Sequence, residues 1–378
     1  MIDYAALPSP CFVLDERRLR SNLELMKSVQ ERAGVTIILA LKGFAMWSTF
    51  PLVRQYLKAC TASSLHEALL CVEEFGEKAH TYAPAYVPGE MEALLRSSSH
   101  LSFNSLSQYE YFKPLIAKAP HRPSLGLRVN PEHSDVGTAL YNPCSPGSRL
   151  GISAEHLKGA LPDGIEGLHF HALCESNSYS LQATLEAFEA KFGRFFDQIK
   201  WVNMGGGHLM TNDGYDVDHL VDLLTSFRKK HGVEVILEPG SAVAWRTGEL
   251  KSTVLDVVTN RGVTTAILDV SFTAHMPDTL EMPYRPVVRG ATDPQPGKFT
   301  CQLGGLSCLS GDFMTAYSFD APLKAGDTLI FEDMMHYTMV KTTTFNGVQH
   351  PCIAIWNEDG TARIIRTFEY LDFKNRLS

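Results

Sequence analysis

The sequence predicts an α/β protein in which a (β/α)8 TIM barrel is joined to a second, mostly β domain. Short β-rich runs alternate with helix-like segments from about residue 35 to residue 240. There are eight such runs, and eight parallel strands close a barrel of this kind. After Trp245 the chain consists mainly of β-rich runs joined by turns, which favours a separate β domain.

The predicted barrel strands follow one another at the spacing of strand–helix units. They are VTIILAL (35–41), ACTAS (59–63), AHTYA (79–83), HLSFNS (100–105), SLGLRVN (124–130), GIEGLHFH (164–171), WVNMGG (201–206) and VEVILEPG (233–240). Helical patterns lie between most of them, such as YDVDHLVDLLTSFRKKHG, whose basic end and final glycine are typical of a helix C-terminus. A doubly wound parallel sheet has the same local alternation and is the alternative fold.

The second domain is predicted from runs that have β character without intervening helices. They are GELKSTVLDVVTNRGVTTAILDVS, RPVVRGA, KFTCQLGG, DTLIFEDM and PCIAIWNEDGTARIIR, the last with a hairpin signal at EDG. The N-terminal SPCFVLDERRLRSNL is predicted to be a strand that leads into a helix and to join this domain. We therefore expect a barrel over residues 15–245 and a β domain over residues 246–378 with 1–14.

Composition limits the classes of function. The chain has 378 residues and a net charge of -8 without a basic stripe, which argues against nucleic acid as a partner. No run approaches the ~18 apolar residues of a membrane span, and the N-terminus lacks the pattern of a signal peptide. The eight cysteines form no CxxC pair, so we expect free thiols in a reducing cytoplasm.

A single lysine, Lys42, follows the first apolar run in TIILALKGFAMW. Barrel enzymes place their active sites at the carboxyl ends of the strands, where this lysine is expected. An amine desolvated there has a lowered pKa and forms a Schiff base with an aldehyde. The alternative is a lysine that extends past the strand end to the surface, and the position alone does not decide between the two.

Three glycines, Gly205, Gly206 and Gly207, follow the seventh predicted strand. Such a turn leaves backbone N–H groups free to surround an anion, and this loop is a favoured phosphate site in barrels. A flexible turn is the alternative interpretation. The turn is not a dinucleotide fingerprint, because the GxGxxG spacing is missing.

Glu238 and His171 end two further barrel strands. A carboxylate at the end of an apolar strand needs a partner, and either a protonated pyridine nitrogen or a neighbouring basic side chain would serve. His171 is either a ring that stacks on an aromatic cofactor or a hydrogen-bonded core residue. The histidines show no metal-ligand spacing such as HExxH, so we predict no metal.

Together these motifs resemble those of a known enzyme family. LALKGF, GLHFH, MGGG and LEPG occur in the order found in the fold-type III, pyridoxal-phosphate-dependent decarboxylases, relatives of alanine racemase that include ornithine and diaminopimelate decarboxylases. The later GLSCLSGD (305–312) and HYTMVKTTTFNG (336–347) are similar as well, so the resemblance covers nearly the whole chain. Within the family, LALKGFAMWSTFPLVRQYL and GLHFHALCESNS most resemble the carboxynorspermidine (carboxyspermidine) decarboxylases, bacterial polyamine enzymes.

The resemblance implies pyridoxal 5'-phosphate as cofactor and a role for each motif. Lys42 matches the lysine that carries the cofactor, His171 the histidine that stacks on its ring, and Glu238 the glutamate that keeps the ring nitrogen protonated. Gly205, Gly206 and Gly207 match the phosphate turn, and Tyr337 resembles a tyrosine that also reaches the phosphate. Less clearly, Arg128 and Ser64 match positions around the site.

The resemblance also implies a homodimer with two shared active sites. Cys308 resembles the cysteine that enters from the partner subunit and protonates the product carbanion. Asp312 lies where relatives often have an acidic residue near the far end of the substrate. A polyamine-type substrate would carry cationic amines, and Asp278 and Glu281 are further candidates to bind them.

The chain departs from the family pattern at several positions. Ser241 stands where many relatives have an arginine after EPG, Leu173 and Cys174 replace a glycine and a serine, and Leu309 replaces an acidic residue after the cysteine. These departures weigh against ornithine or diaminopimelate as substrate. The alternatives are a decarboxylase of ornithine, arginine, lysine or diaminopimelate, an amino-acid racemase, a pyridoxal-phosphate carrier, and a phosphate-binding barrel without this cofactor.

Overall fold

The computed structural model describes residues 2–282 and 284–378, and it divides the chain into two compact units. The barrel unit is formed by residues 21–243, and the sheet unit by residues 1–20 and 244–378. The chain opens with strand β1 (Cys11–Asp15) and helix α1 (Glu16–Ala33). Glu16 in the first turn of α1 and Arg32 in its last turn complement the helix dipole.

The barrel unit contains one parallel sheet of short strands. Their bounds are β2 (Thr36–Ile37), β3 (Leu39–Ala40), β4 (Cys60–Ala62), β5 (Ala79–Tyr82), β6 (Ser98–Phe103), β7 (Ser124–Arg128), β8 (Ile165–His169), β9 (Trp201–Asn203) and β10 (Glu234–Leu237). The order in the sheet is β2-β10-β9-β8-β7-β6-β5-β4-β3.

The barrel closes through its first strand, which Ile38 divides into β2 and β3. The Ile38 N–H donates to the Leu237 carbonyl at 2.9 Å, and the Leu39 N–H donates to the Ala59 carbonyl at 3.1 Å. One half of this strand therefore pairs with β10 and the other half with β4. Counted as one, β2 and β3 give the eight parallel strands that the sequence predicts, and the predicted fold class is confirmed.

Helices follow most of the barrel strands, and their first turns are capped by polar side chains. Their bounds are α2 (Phe50–Val53), α3 (Leu65–Leu70), α4 (Met91–Ser97), α5 (Leu106–Lys118), α6 (Ser178–Phe192) and α7 (Val217–His231). Ser64, Ser105, Asn177 and Asp216 each accept a hydrogen bond from a backbone N–H of the following helix. Helix α7 ends at Gly232, whose φ of 66° only glycine adopts without strain, as the sequence predicts.

The barrel interior holds polar and aromatic side chains, and Ile38 and Ile236 pack in one cluster with Trp201. The Trp201 indole occupies the space that side chains at Gly126 and Gly167 would fill. Its ring meets His100, which stacks on His80 with ring centroids 3.9 Å apart. Nearer the carboxyl ends of the strands lies a second polar group, which contains Tyr82, Arg128, His169, Asn203 and Glu238.

The sheet unit is built around a mixed sheet of eight strands. The short helix α8 (Ser241–Ala244) lies at the boundary, and its last residue begins the sheet unit. Besides β1 the unit contains the strands β11 (Gly248–Asn260), β12 (Val263–Leu268), β13 (Phe299–Gly304), β14 (Phe313–Phe319), β15 (Thr328–Phe331), β16 (Cys352–Trp356) and β17 (Ala362–Arg366). Its helices are α9 (Phe272–His275), α10 (Asp278–Glu281) and α11 (Tyr370–Lys374). The order is β14-β13-β12-β11-β1-β16-β17, with β15 also paired to β11.

Strand β1 lies at the centre of this sheet, antiparallel to β11 and parallel to β16. The prediction that the N-terminal strand leads into a helix and joins the β domain is therefore confirmed. The predicted strand RPVVRGA is wrong: only Val288 pairs, in an isolated bridge with Phe331, because Pro286 lacks an N–H and Gly290 turns the chain at φ 75°. In the part of the chain that the structure describes, no helix is both long and apolar enough to cross a membrane.

Candidate active site

Lys42 lies in the turn that follows the first barrel strand, at the carboxyl-end rim of the barrel. The next residue, Gly43, packs directly against the backbone after the eighth strand: a Cβ on Gly43 would lie 2.7 Å from the Gly240 Cα. Only glycine allows this approach. The turn therefore holds Lys42 beside the end of β10, where Glu238 follows the strand.

The Lys42 side chain is exposed on one side and surrounded by barrel residues on the other. The residue is accessible to water in the chain alone, and the desolvated amine that the sequence predicts stays a prediction. Desolvation by the surrounding protein nevertheless lowers the pKa of Lys42, and the Arg128 guanidinium lowers it further, while Glu238 opposes the shift. Such an amine is more often neutral than an ordinary lysine, as nucleophilic chemistry requires.

Glu238 is 7% exposed, and it meets polar groups from two other strands. The Asn203 side-chain amide donates to Glu238 Oε1 at 2.5 Å, and His169 Nε2 lies 3.6 Å from Glu238 Oε2. Burial raises the pKa of Glu238, although Asn203, Lys42 and Arg128 all favour its charged form. A carboxyl group held in this way is suited to pair with one more cation or N–H donor.

His171 is fixed in one orientation by the glycine turn. The Gly206 N–H donates to His171 Nδ1 at 2.9 Å, so Nδ1 has no proton and the neutral ring carries its proton on Nε2. Burial lowers the pKa of His171 well below 6.5, with Lys42 and Arg128 adding to the shift. The ring is therefore a neutral, oriented aromatic surface at the carboxyl end of β8, where stacking on a cofactor was predicted.

The triple-glycine turn makes the closest backbone approaches in the site. Gly205 and Gly207 have φ values of 68° and 88°, and side chains at any of the three glycines would overlap the backbone of neighbouring loops. The turn is thus tightly packed, and the interpretation as a flexible turn is wrong. The Gly205 N–H donates to Asn203 and the Gly206 N–H to His171, so among the described residues the Gly207 N–H remains available to an anion.

Arg128 and Ser64 lie in the barrel unit, and the predicted site residues from Asp278 onward lie in the sheet unit, where Asp278 is buried among polar groups. Its side chain is buried, and its Oδ2 accepts hydrogen bonds from the Tyr284 hydroxyl at 2.7 Å and from Thr338 Oγ1 at 2.8 Å. Its Oδ1 is also buried, but it has no hydrogen-bond partner among the described residues. Thr338 is the neighbour of Tyr337, so Asp278 is tied to the segment of the predicted phosphate tyrosine. A buried carboxylate with one bare oxygen is a natural acceptor for a ligand N–H.

Asp312 organises the loop that carries Cys308. The Asp312 carboxylate accepts hydrogen bonds from the Ser307 N–H at 3.0 Å and the Thr273 N–H at 3.1 Å. Cys308 itself is exposed, and its N–H donates to Asn346 Oδ1 at 2.7 Å. Its position on an exposed loop leaves the thiol accessible.

Glu281 and Tyr337 have different local settings. Glu281 is an exposed carboxylate that forms an ion pair with Lys341. Tyr337 has a φ of 49°, which is unusual for a bulky residue and typical of functional segments, and its ring contacts His336. The roles predicted for these two residues stay predictions.

Comparison with known proteins decides the family. A family model described as "Pyridoxal-dependent decarboxylase, C-terminal sheet domain" matches residues 11–335. The chain belongs to the pyridoxal-dependent decarboxylases. The predicted family and the predicted cofactor are therefore confirmed, and the chain is a decarboxylase.

Two relatives and one solved structure cover nearly the whole length of this pyridoxal-dependent decarboxylase. A carboxyaminopropylagmatine decarboxylase of Synechocystis sp. is 52% identical to it, and the match covers 99% of this chain and 96% of the relative. This chain is 44% identical, over 99% of both chains, to a carboxynorspermidine/carboxyspermidine decarboxylase of Campylobacter jejuni. A crystal structure of carboxynorspermidine decarboxylase complexed with norspermidine, from Campylobacter jejuni, has a TM-score of 0.89 at 42% identity and covers 98% of this chain and 100% of that one.

The residues of the barrel rim fit pyridoxal 5'-phosphate. Lys42 supplies an amine with a lowered pKa, Glu238 a buried carboxyl group for a protonated ring nitrogen, and His171 an oriented ring. The Gly207 N–H has no hydrogen-bond partner among the described residues. Among the described residues, no group of three or more His, Cys, Asp or Glu side chains is placed to hold a metal ion.

Asn203 is a site residue that sequence reasoning missed. It lies in the predicted strand WVNMGG directly before the glycines, yet nothing in the sequence shows that its side chain reaches Glu238, 35 residues further along the chain. The signal that could have indicated a site residue was a polar side chain at the buried end of a barrel strand.

Proposed function

We propose that this chain decarboxylates a carboxylated polyamine, carboxynorspermidine or carboxyspermidine, to give norspermidine or spermidine in polyamine biosynthesis. One observation carries the proposal: Lys42, Glu238 and His171 meet at the barrel rim beside a glycine turn with an N–H available to an anion. The identity of 44% to a decarboxylase with these names supports the choice of substrate.

The cofactor, when bound, would supply an electron sink that stabilises the carbanion left at Cα after loss of carbon dioxide. Lys42 would hold the cofactor and give way to the substrate amine. Glu238 would keep the ring nitrogen protonated, because its carboxylate stabilises a positive charge there. His171 would hold the ring plane, and the Gly207 N–H would bind the phosphate. The protein's contribution is therefore orientation and electrostatic stabilisation.

The substrate tail is cationic and needs an acidic partner. Asp278 is the strongest candidate among the three predicted carboxylates, because its Oδ1 is buried without a partner. Asp312 already accepts two backbone N–H bonds, and Glu281 is paired with Lys341. One bare oxygen suits a single N–H donor, as an ammonium or secondary amine provides.

Carboxyaminopropylagmatine is a second candidate substrate, because a relative of 52% identity carries this name. An agmatine tail ends in a guanidinium group, whereas the tails of norspermidine and spermidine end in an ammonium group. A guanidinium is best bound by a carboxylate that accepts two parallel N–H bonds. The two candidates therefore differ in what they require at the far end of the site.

A substrate panel tests the proposed function. Carbon dioxide release is measured with carboxynorspermidine, carboxyspermidine, carboxyaminopropylagmatine, ornithine, arginine, lysine and diaminopimelate. We expect kcat/KM for a carboxylated triamine to exceed that for the four amino acids by at least about 100-fold, since a buried polar site rejects ligands that leave it unpaired. A higher value for carboxyaminopropylagmatine selects the second candidate. Preference for one of the amino acids, or racemisation without carbon dioxide release, contradicts the proposal.

We propose further that the enzyme is a homodimer in which Cys308 serves the active site of the partner subunit. Cys308 is exposed, and its loop carries the exposed apolar side chains Leu306 and Leu309. Apolar side chains grouped on an exposed loop are typical of an interface. The thiol would return a proton to Cα after carbon dioxide leaves.

We also propose a cytoplasmic location. All eight cysteines are free, which supports a reducing compartment.

Replacement of Cys308 tests its assignment. In Cys308→Ala we expect product formation to slow by about 10²-fold, or protonation at the wrong carbon, because a positioned acid contributes on that order. Cys144→Ala is the matched control, since Cys144 is a partly buried cysteine on a barrel loop. Unchanged turnover and unchanged product in Cys308→Ala would remove this residue from the reaction.

A further inference from the structure

Asn203 connects the glycine turn with Glu238, two parts of the cofactor site that lie apart in the sequence. It ends β9, is 3% exposed, and forms two hydrogen bonds in opposite directions. Its Oδ1 accepts from the Gly205 N–H at 2.9 Å, and its Nδ2 donates to Glu238 Oε1 at 2.5 Å. The side chain therefore bridges the glycine turn and the carboxyl group of the eighth strand.

The orientation of the Asn203 amide follows from its partners. A backbone N–H only donates, so the atom that faces Gly205 must be the amide oxygen. The NH2 group then points at Glu238, and Glu238 Oε1 must act as an acceptor. A donor at this distance stabilises the carboxylate form of Glu238 against the effect of its burial.

The backbone strengthens the same connection. The Glu238 N–H donates to the Gly205 carbonyl at 2.8 Å, so Glu238 and the glycine turn are joined by main chain as well as by Asn203. The turn in turn fixes the His171 ring through the Gly206 N–H. A substitution of Asn203 therefore affects both the glycine turn and the Glu238 carboxylate, which would contact different ends of the cofactor.

We propose that Asn203 is a positioning residue that holds Glu238 ionised and aimed while it fixes the shape of the glycine turn. The proposal rests on the proposed function, because it assigns Asn203 a role in the same cofactor site. The other charged and titratable groups that face Glu238 are Lys42, Arg128 and His169. Asn203 differs from all three in having both of its polar atoms bonded within the site.

Two variants separate the two hydrogen bonds. Asn203→Asp keeps an oxygen for the Gly205 N–H but removes the donor and places a second carboxyl group beside Glu238. Asn203→Ala removes both bonds. Asn357→Asp is the matched control, since Asn357 lies in the exposed hairpin turn between β16 and β17 of the sheet unit. Thermal unfolding of each variant reports whether it is folded.

The experiment measures cofactor affinity by fluorescence titration of the apoprotein, and kcat across pH. For Asn203→Asp we expect affinity within about threefold of wild type, kcat at least about tenfold lower, and the acidic limb of kcat moved to higher pH, because a neighbouring carboxyl group raises the pKa of Glu238. For Asn203→Ala we expect affinity to fall at least about tenfold as well. Asn357→Asp should match wild type.

Wild-type values of kcat and an unmoved acidic limb in Asn203→Asp would overturn the proposal while leaving the proposed function intact. An Asn203→Ala enzyme that binds the cofactor as wild type does would overturn it as well. Failure of the wild-type apoprotein to bind pyridoxal 5'-phosphate would instead overturn the proposed function and this inference together.

Discussion

The barrel unit and the sheet unit bury their polar side chains in different ways. In the sheet unit, Glu249 pairs with Arg18 at 2.7 Å and Arg289 at 3.1 Å, and the Lys251 amine donates to the carbonyls of Tyr4 and Leu7. In the barrel, both ring nitrogens of buried His169 and of buried His208 lack a hydrogen-bond partner among the described residues. Glu249 Oε1 and the Lys251 amine are thus bonded by protein groups, whereas His169 and His208 keep capacity for a further hydrogen bond.

Asp278 is one of several side chains in the sheet unit that keep a buried polar atom without a hydrogen-bond partner; among the described residues Thr273 Oγ1, His275 Nε2 and Glu249 Oε2 are others. The Asp278 Oδ1 is buried without a partner, in a unit where Lys251 and Asp269 have their bonds made by protein groups. We propose a ligand-binding role for Asp278 because Tyr284 and Thr338 hold its Oδ2 while its Oδ1 is left without a partner. The comparison thus separates residues whose loss should affect activity from residues whose loss should affect stability.

The largest effect is expected at Lys42. In Lys42→Ala we expect kcat/KM to fall by at least about 10³-fold, because the proposed attachment point of the cofactor is lost. The melting temperature of the apoprotein should change little, since the side chain is exposed on one side. Kinetics with carbon dioxide detection and thermal unfolding check both statements. Residual activity within tenfold of wild type would place the reactive amine elsewhere.

In the sheet unit we expect the opposite pattern at Glu249. Glu249→Gln removes the anion that Arg18 and Arg289 share, and loss of these charge-assisted hydrogen bonds from half-exposed arginines costs about 1.5 kcal/mol of the free energy of unfolding. Turnover per folded molecule should stay at the wild-type value. Urea unfolding and active-site titration measure the two quantities. Glu234→Gln, at an exposed position of the barrel, is the control. Loss of turnover without loss of stability in Glu249→Gln would contradict a purely structural role for Glu249.

Asp278 should behave as a binding residue. In Asp278→Asn we expect KM for the best carboxylated polyamine to rise about tenfold with a smaller change in kcat, because a charge-assisted hydrogen bond to the substrate tail is lost. Asp256→Asn, at an exposed position of β11, should leave KM unchanged. Steady-state kinetics with both variants decide the point. A drop in stability with unchanged KM would make Asp278 a structural residue.

The smallest effect concerns pH. In the proposed role the neutral form of Lys42 would react with the cofactor, and the pKa of Lys42 lies below the ordinary 10.5. The rate of cofactor attachment to the apoprotein should therefore rise with pH and reach half of its maximum below pH 10.5. Stopped-flow absorbance measures this rate, with a free lysine analogue (pKa about 10.4) as the reference. A half-maximum at or above that of the analogue would contradict the lowered pKa.

The sequence predicted the barrel because its strands are short, apolar and regularly spaced. It did not predict strand β14, whose residues FMTAYSF lack a clean alternation and bury mainly their second half. The barrel site was predicted through residues next to strand ends, such as Lys42 and Glu238. The bonds that set their chemistry were not predictable, because Asn203 and Glu238, or Asp278 and Thr338, meet only through the tertiary fold.

The central claim is that Lys42 carries the cofactor, and one measurement tests it most directly. The enzyme with pyridoxal 5'-phosphate bound is reduced with borohydride, digested, and mapped by mass spectrometry. We expect a single modified peptide in which the pyridoxyl group is attached to Lys42. Modification of another lysine, with Lys42 recovered unmodified, would contradict it.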